Sequence, residues 1–287
     1  MIRVYAISVN PSYFKVNRVF VEKIMFGRGG VESEYAGRKT MVGFERLRDT
    51  VIQHQNLYQQ AEPFPHILLE NMVEPKALKL IVDAFPSPQE QMSWRQVSAT
   101  LEGEKMQFNK LGCSQEANLP ICIRQLLWEL NSGMFISLLE QLTGIRGLLP
   151  DPSLQGAGLH QMLPGGVLGI HADFTNHRVY QLCRRINVLL YLNERWQDEY
   201  EGHLELWTRD MSRCARRIRP LLGRMVIFNT DADSFHGSPA PIVCPDGCTR
   251  KSIALYYYTN GRDDKEVIST QATDWRQTDR SNLPKLE

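Results

Sequence analysis

The chain has 287 residues, with 33 basic and 32 acidic side chains and a formal net charge of +1. With 43% apolar residues it can bury a substantial core, as one large domain or one domain with an added lobe. No long basic run points to nucleic acid and no apolar stretch is long enough to span a membrane, so neither partner is expected.

Residues 1–43 read as an N-terminal arm with two short strand candidates, 4–9 and 19–24. Its polar interruptions come too early for a signal peptide. A mainly helical support region is expected over 44–150. Phe44, Leu47, Val51 and His54 fall at helix spacing, with Leu57 close to the same face, until Pro63 and Pro65 break the pattern. Residues 66–70 read as a strand. Pro75 sits where a helix starts, and apolar residues over 77–85 continue it to Pro86. Residues 93–112 are mixed, as strand and loop. A long helical region over 117–142 carries Leu126, Leu127, Leu130, Phe135, Leu138, Leu139 and Leu142, and Asn131-Ser132-Gly133 divides it in two. Trp128, Met134 and Phe135 read as core there. Beyond Pro150 short strand-like runs alternate with turns: 158–163, a turn at 164–166, 167–173, 185–192, 202–207, 224–229 and 252–259. Such spacing suggests a barrel or double-sheet roll over 151–265. Residues 266–287 read as a C-terminal tail, solvated from about Asp274.

The chemistry gathers in this second half. His171 and Asp173 are two residues apart, so on a strand they point to one face. An imidazole and a carboxylate there can hold a divalent metal from one side. His236, in Ser-Phe-His-Gly-Ser-Pro, is the candidate third ligand from far along the chain. Two histidines and a carboxylate on one face leave the opposite positions open, the arrangement used by non-haem Fe(II) oxygenases. Arg250 opens a further β-prone run and shares its face with Ser252 and Ala254. An inward guanidinium needs an anion, because an unpaired buried charge is costly. A bound dicarboxylate supplies one through a bidentate pair.

With His171-Ala-Asp173, the distal His236 and Arg250, the chain resembles the Fe(II)/2-oxoglutarate-dependent dioxygenases. The nearer match is the prolyl 4-hydroxylase-like branch, through Arg184-Arg185-Ile186-Asn187-Val188-Leu189-Leu190-Tyr191-Leu192-Asn193 and the later Gly202-His203-Leu204-Glu205-Leu206. The resemblance covers about residues 155–260. It implies an α+β protein whose catalytic core is a double-stranded β-helix (jelly roll) with N-terminal helical support. It implies Fe(II) on His171, Asp173 and His236. It also implies 2-oxoglutarate on Arg250 and Tyr191 with help from Ser252, O2 as oxidant and ascorbate as a reductant. The implied reaction hydroxylates an unactivated C–H bond and releases succinate and CO2. A prolyl residue, a free amino acid, a natural product or a sugar-linked residue all fit that chemistry as substrate. Two departures stand out: Glu201-Gly202 replaces a common Gly-Gly, and the loop between His236 and Arg250 is long.

Other residues have plainer readings. His160 reads as a strand histidine, Gln161 as a lesser candidate to face the cosubstrate, and His177 as a loop residue either near substrate or solvated. His203 and Glu205 read as the outer wall of the sheet. Arg184 and Arg185 are placed to hold the loop after Asp173. Arg213, Arg216, Arg217 and Arg219 read as a solvated basic face. The six cysteines lack a disulfide spacing and read as reduced thiols of a cytoplasmic protein. Cys244 and Cys248 lack the second pair that a zinc site needs. Two rival classes stay open. A non-catalytic β-roll binding module would lack a ligand or the arginine. A zinc hydrolase on the same triad would not need Arg250 and Tyr191.

Overall fold

A computed structural model describes residues 40–90, 94–262 and 271–287. The strand candidates of the N-terminal arm lie outside the described residues. Two helices flank the first strand: α1 (Phe44–Gln59), β1 (His66–Leu69) and α2 (Pro75–Asp83), which opens on its proline. A hairpin follows, β2 (Arg95–Leu101) and β3 (Glu104–Cys113). Then come α3 (Ile121–Leu130) and α4 (Gly133–Thr143). Their division falls at the expected Asn-Ser-Gly, where the Ser132 hydroxyl accepts the Phe135 N–H at 3.3 Å and caps α4. Gly144 closes α4 in the left-handed conformation. Phe135 is buried as expected. Trp128 and Met134 are not: they are about half exposed on the outer sides of their helices. Trp128 spends its indole N–H on Glu116 rather than on the core.

The remaining strands are β4 (Leu149–Pro150), β5 (Gly158–Ala172), β6 (Cys183–Tyr191), β7 (Leu204–Trp207) and β8 (Cys214–Ile218). They are followed by β9 (Met225–Asn229), β10 (His236–Ser238), β11 (Arg250–Thr259) and β12 (Asp274–Arg276). They pair antiparallel in the order β1-β9-β6-β11-β5-β10-β7-β8. β5 belongs to both ends of this curled sheet. Its first half, Gly158 to Met162, pairs with β11, and its second half pairs with β10 through Leu168 and His171. The turn expected at 164–166 is therefore a kink within one strand. Gly165 takes φ +75° there, and a Cβ on Gly166 would lie 2.7 Å from the Leu163 carbonyl. This continuous, switching strand folds the sheet into the expected double-stranded β-helix.

Alternation on β6 separates the two sides of the roll. Ile186, Val188 and Leu190 join the core that α1–α4 cover, with Leu126, Phe135 and Leu139. Asn187, Leu189 and Tyr191 face the interior of the roll. The helices thus cover the outer face of the sheet and leave its concave face open.

The C-terminal segment is not a solvated tail. β12 pairs with β5, setting Trp275 opposite His171, and the Glu287 N–H reaches the Arg217 carbonyl at 2.9 Å. The reason is an unfilled edge. β3 covers β5 only as far as Leu168, and β12 supplies the ladder from Ile170 to Ala172.

Candidate metal and cosubstrate site

The concave face lines a cavity of about 310 Å³, and all six sequence-derived site residues border it: His171, Asp173, Tyr191, His236, Arg250 and Ser252. β5 delivers His171, and Asp173 follows just past its end. β10 begins with His236, which pairs in register with His171. Nε2 of His171 lies 3.6 Å from one Asp173 oxygen, and Nε2 of His236 lies 3.5 Å from the other. One ligand atom from each residue falls within 4.8 Å of the others. Each imidazole is anchored through Nδ1, at 2.9 Å from the Gly169 carbonyl for His171 and 2.9 Å from the Ser234 carbonyl for His236. A carbonyl only accepts, so Nδ1 carries the proton and Nε2 presents its lone pair to the cluster. Two neutral nitrogens and one carboxylate, all buried and aimed inward, fit a divalent metal.

Asp173 is held by a group whose role sequence reasoning missed. Arg184, 1% exposed, places Nη2 2.9 Å from its carboxylate. Asn187 donates to the same oxygen at 2.8 Å and accepts from Arg184 Nε and Nη2 at 3.1 and 2.8 Å. The guanidinium lies 3.4 Å from the Tyr256 ring centroid and 4.5 Å from that of Phe174. Burial pushes the Asp173 carboxyl up, but Arg184 and then His236 and His171 outweigh it and hold it well below the usual carboxylate range. His236 is pushed down to about 4, chiefly by burial.

The second cluster faces these ligands from β6 and β11. Arg250 donates from Nε to the Gly202 carbonyl at 2.6 Å, and its Nη2 lies 3.2 Å from the Tyr191 hydroxyl. Its Nη1 has only the Met162 sulfur at 3.7 Å. It is 6% exposed and has no carboxylate within ion-pair distance among the described residues. Ser252 sits beside it, in register with Tyr191. A buried guanidinium left to a carbonyl, a phenol and a thioether fits one end of a dicarboxylate. Gly202 is required here, since a Cβ would come within 2.9 Å of Arg250 Cδ and 2.6 Å of Ile242 Cδ1.

The lesser candidates separate cleanly. His160 borders the cavity, and burial first, then Lys110, pushes it well below its ordinary value. Gln161 points away, donating to the Pro86 carbonyl at 3.4 Å and accepting from Thr249 at 3.0 Å. His177 is buried in its loop beside Asp151 and Ser153, at 3.4 and 3.2 Å. His203 and Glu205 lie on the outer side but are buried, because Arg217 and the C-terminal Arg280 cover Glu205. Nor is the basic run wholly a solvated face: Arg219 pairs bidentately with Asp198, and Arg217 reaches Glu201 at 3.4 Å. Cys244 donates to the Cys248 carbonyl at 3.1 Å, and neither belongs to a metal-ligand group among the described residues.

A family model for the 2OG-Fe(II) oxygenase superfamily matches residues 157–258. No curated protein matches by sequence. Among solved structures, a prolyl hydroxylase from Trichoplax adhaerens, bound to a hypoxia-inducible-factor peptide, superposes with a TM-score of 0.53 at 18% identity. That match covers 78% of this chain and 92% of the other. A prolyl 4-hydroxylase from Phytophthora capsici gives 0.53 at 15% identity, over 82% of this chain and 72% of the other. At these identities the likeness is one of fold. Residues 157–258, which run from β5 into β11 of the double-stranded β-helix, are the part of the chain that resembles the 2OG-Fe(II) oxygenase superfamily.

Proposed function

We propose that the chain is an Fe(II)- and 2-oxoglutarate-dependent dioxygenase that hydroxylates an unactivated C–H bond. One observation carries this reading: a cluster of inward lone pairs and a buried arginine without a carboxylate face the same cavity. His171, Asp173 and His236 would hold Fe(II). Arg250 and Tyr191 would take the distal carboxylate of 2-oxoglutarate, with Ser252 beside them. When bound, the metal and the keto acid supply the oxidising chemistry, in which O2 and 2-oxoglutarate give succinate, CO2 and a hydroxylated substrate. The chain's own residues do the rest. Arg184 and Asn187 keep Asp173 ionised and oriented. The Gly169 and Ser234 carbonyls fix the imidazole tautomers. Phe228 packs against His236 and Trp275 against His171, at 4.7 Å in each case, and together they wall the ligands from water.

A prolyl residue or a proline-like small molecule is the substrate we put first, in keeping with the branch that the Arg184–Asn193 strand resembles. Ascorbate would serve as reductant. A small molecule or peptide, rather than nucleic acid or a membrane, is the partner this site suits. No helix among the described residues is long and apolar enough to cross a membrane. A cytoplasmic setting accords with six cysteines that are all free thiols. A zinc hydrolase on the same triad would have no use for the Arg250–Tyr191 pair.

The test is anaerobic titration of the metal-free protein with Fe(II) and then 2-oxoglutarate, watching for the weak visible charge-transfer band of the chelate. The band should form in wild type and vanish in His171→Ala. Metal binding without a band would overturn the cosubstrate assignment.

A further inference from the structure

Lys110 is a cation in the cavity that the oxygenase reading leaves without a task. It lies on β3 opposite Met162 of β5, and Met162 is in turn opposite Arg250 on β11. Residues directly across a ladder share a face, so Lys110, Met162 and Arg250 form one inward row. Lys110 accordingly borders the cavity with Asp173, Arg184 and Arg250. Among the described residues its ammonium makes no hydrogen bond and no ion pair.

The charges around the cavity show what it lacks. Its wall carries Arg95, Lys110, Arg184 and Arg250 against one carboxylate, Asp173. Asp173 is already engaged by Arg184 and Asn187. A divalent metal and a dianionic cosubstrate sum to zero, and Asp173 offsets Arg184, so the charges of Arg250 and Lys110 stay in excess, with Arg95 at the exposed end of the hairpin. Arg250 would still have the cosubstrate's distal carboxylate as its hydrogen-bonding partner, whereas Lys110 would have none. An ammonium kept in a cavity beside two guanidinium groups is costly unless an anion arrives to meet it. The site's own influence is consistent with this: burial, then the repulsion of Arg250 and Arg184 against the attraction of Asp173, lowers the Lys110 ammonium to about 8.

We infer that the substrate carries a carboxylate and that Lys110, from the β2–β3 hairpin, receives it, with Arg95 drawing it in at the mouth. This inference rests on the oxygenase reading, because that reading commits Arg250 to 2-oxoglutarate. It makes Lys110 a residue that selects substrate by charge and narrows the substrate to an acid.

The experiment uses the full chain loaded with Mn(II), which does not turn over with O2, and saturated with 2-oxoglutarate. Calorimetry compares L-proline, N-acetyl-L-proline and benzoate, each against its own amide. In wild type at least one acid should bind about tenfold more tightly than its amide, the worth of one charge-assisted contact. The ratio should fall to about one in Lys110→Met and persist in Lys110→Arg, and 2-oxoglutarate affinity should stay the same in all three proteins. A ratio near one in wild type overturns the inference, and so does a ratio that survives Lys110→Met. A tenfold loss of 2-oxoglutarate affinity in Lys110→Met would instead assign the lysine to the cosubstrate. Failure of wild type to bind Mn(II) and 2-oxoglutarate at all would sink the oxygenase reading itself, and this inference with it.

Discussion

The cavity has two walls built on opposite electrostatic plans. Around Asp173 every charge is matched within the protein: Arg184 and Asn187 hold the carboxylate, and two aromatic rings hold Arg184. Along the Lys110–Met162–Arg250 row two cations face the same space with no carboxylate partner among the described residues. The first wall can be rigid before anything binds, as a metal site needs. The second wall stays short of negative charge until ligands bring it. Mutations should therefore act mainly on stability in the first wall and on ligand affinity in the second.

The largest effect should come from breaking the matched wall. Arg184→Met leaves a buried carboxylate without its cation and should cost about 3–5 kcal/mol in urea unfolding of the metal-free protein. A loss under about 1 kcal/mol would mean that Asn187 suffices, and the contrast between the walls would dissolve. Arg250→Ala should do the reverse. It removes a buried charge that has no carboxylate partner, so the melting temperature should not fall. Affinity for 2-oxoglutarate should drop about a hundredfold with the loss of two charge-assisted bonds. Metal affinity should be spared. Unchanged cosubstrate affinity would count against the role given to Arg250.

Trp275→Ala probes a contact at the rim of the matched wall. The ring packs against His171 at a tilt of 38°, with centroids 4.7 Å apart. Its loss should cost about 1 kcal/mol, and a looser His171 should bind Fe(II) about fivefold more weakly. Normal metal affinity in this variant would mean that the Gly169 carbonyl alone orients the imidazole.

Much of the site was legible because its residues obey strand alternation. His171 and Asp173, Tyr191 and Asn187, and Arg250 and Ser252 each sit two or four apart on strands or at their ends. What escaped depends on broken alternation or on distant pairing. β6 slips by one residue, so that Tyr257 faces Ile186 while Tyr258 faces Arg184, passing over Arg185. That bulge brings Arg184 to the side of Asn187 three residues later, where plain parity would place Arg185. The hairpin position of Lys110 and the seat of Trp275 on β5 follow from long-range ladders that no local pattern announces. The helices were readable from their apolar spacing and from the Asn-Ser-Gly break. The exposure of Trp128 and Met134 was not, because residue type alone does not say which side of a helix the sheet will cover.

The smallest predicted effect concerns the loop that holds Arg250. Glu201 takes φ 57° and ψ −145°, a conformation that suits glycine and costs another residue about 1–3 kcal/mol. It stands where the resemblance leads one to expect the first glycine of a Gly-Gly pair, and Gly202, at φ +75°, accepts the Arg250 Nε bond directly after it. Its carboxylate recovers part of that cost through Arg217 and His203, at 3.4 and 3.3 Å. It is partly exposed, so such pairs are worth about 1 kcal/mol at most. Glu201→Gly should therefore stabilise the protein, by about 1 kcal/mol after the added freedom of the unfolded chain is set against the relief. Because Gly202 keeps its carbonyl in place, 2-oxoglutarate affinity should not change. A net loss of stability would mean that the Arg217 pairing outweighs the backbone strain. A gain would place strain on the same wall that lacks negative charge, making the cosubstrate side of the cavity the less stable of the two before ligands arrive.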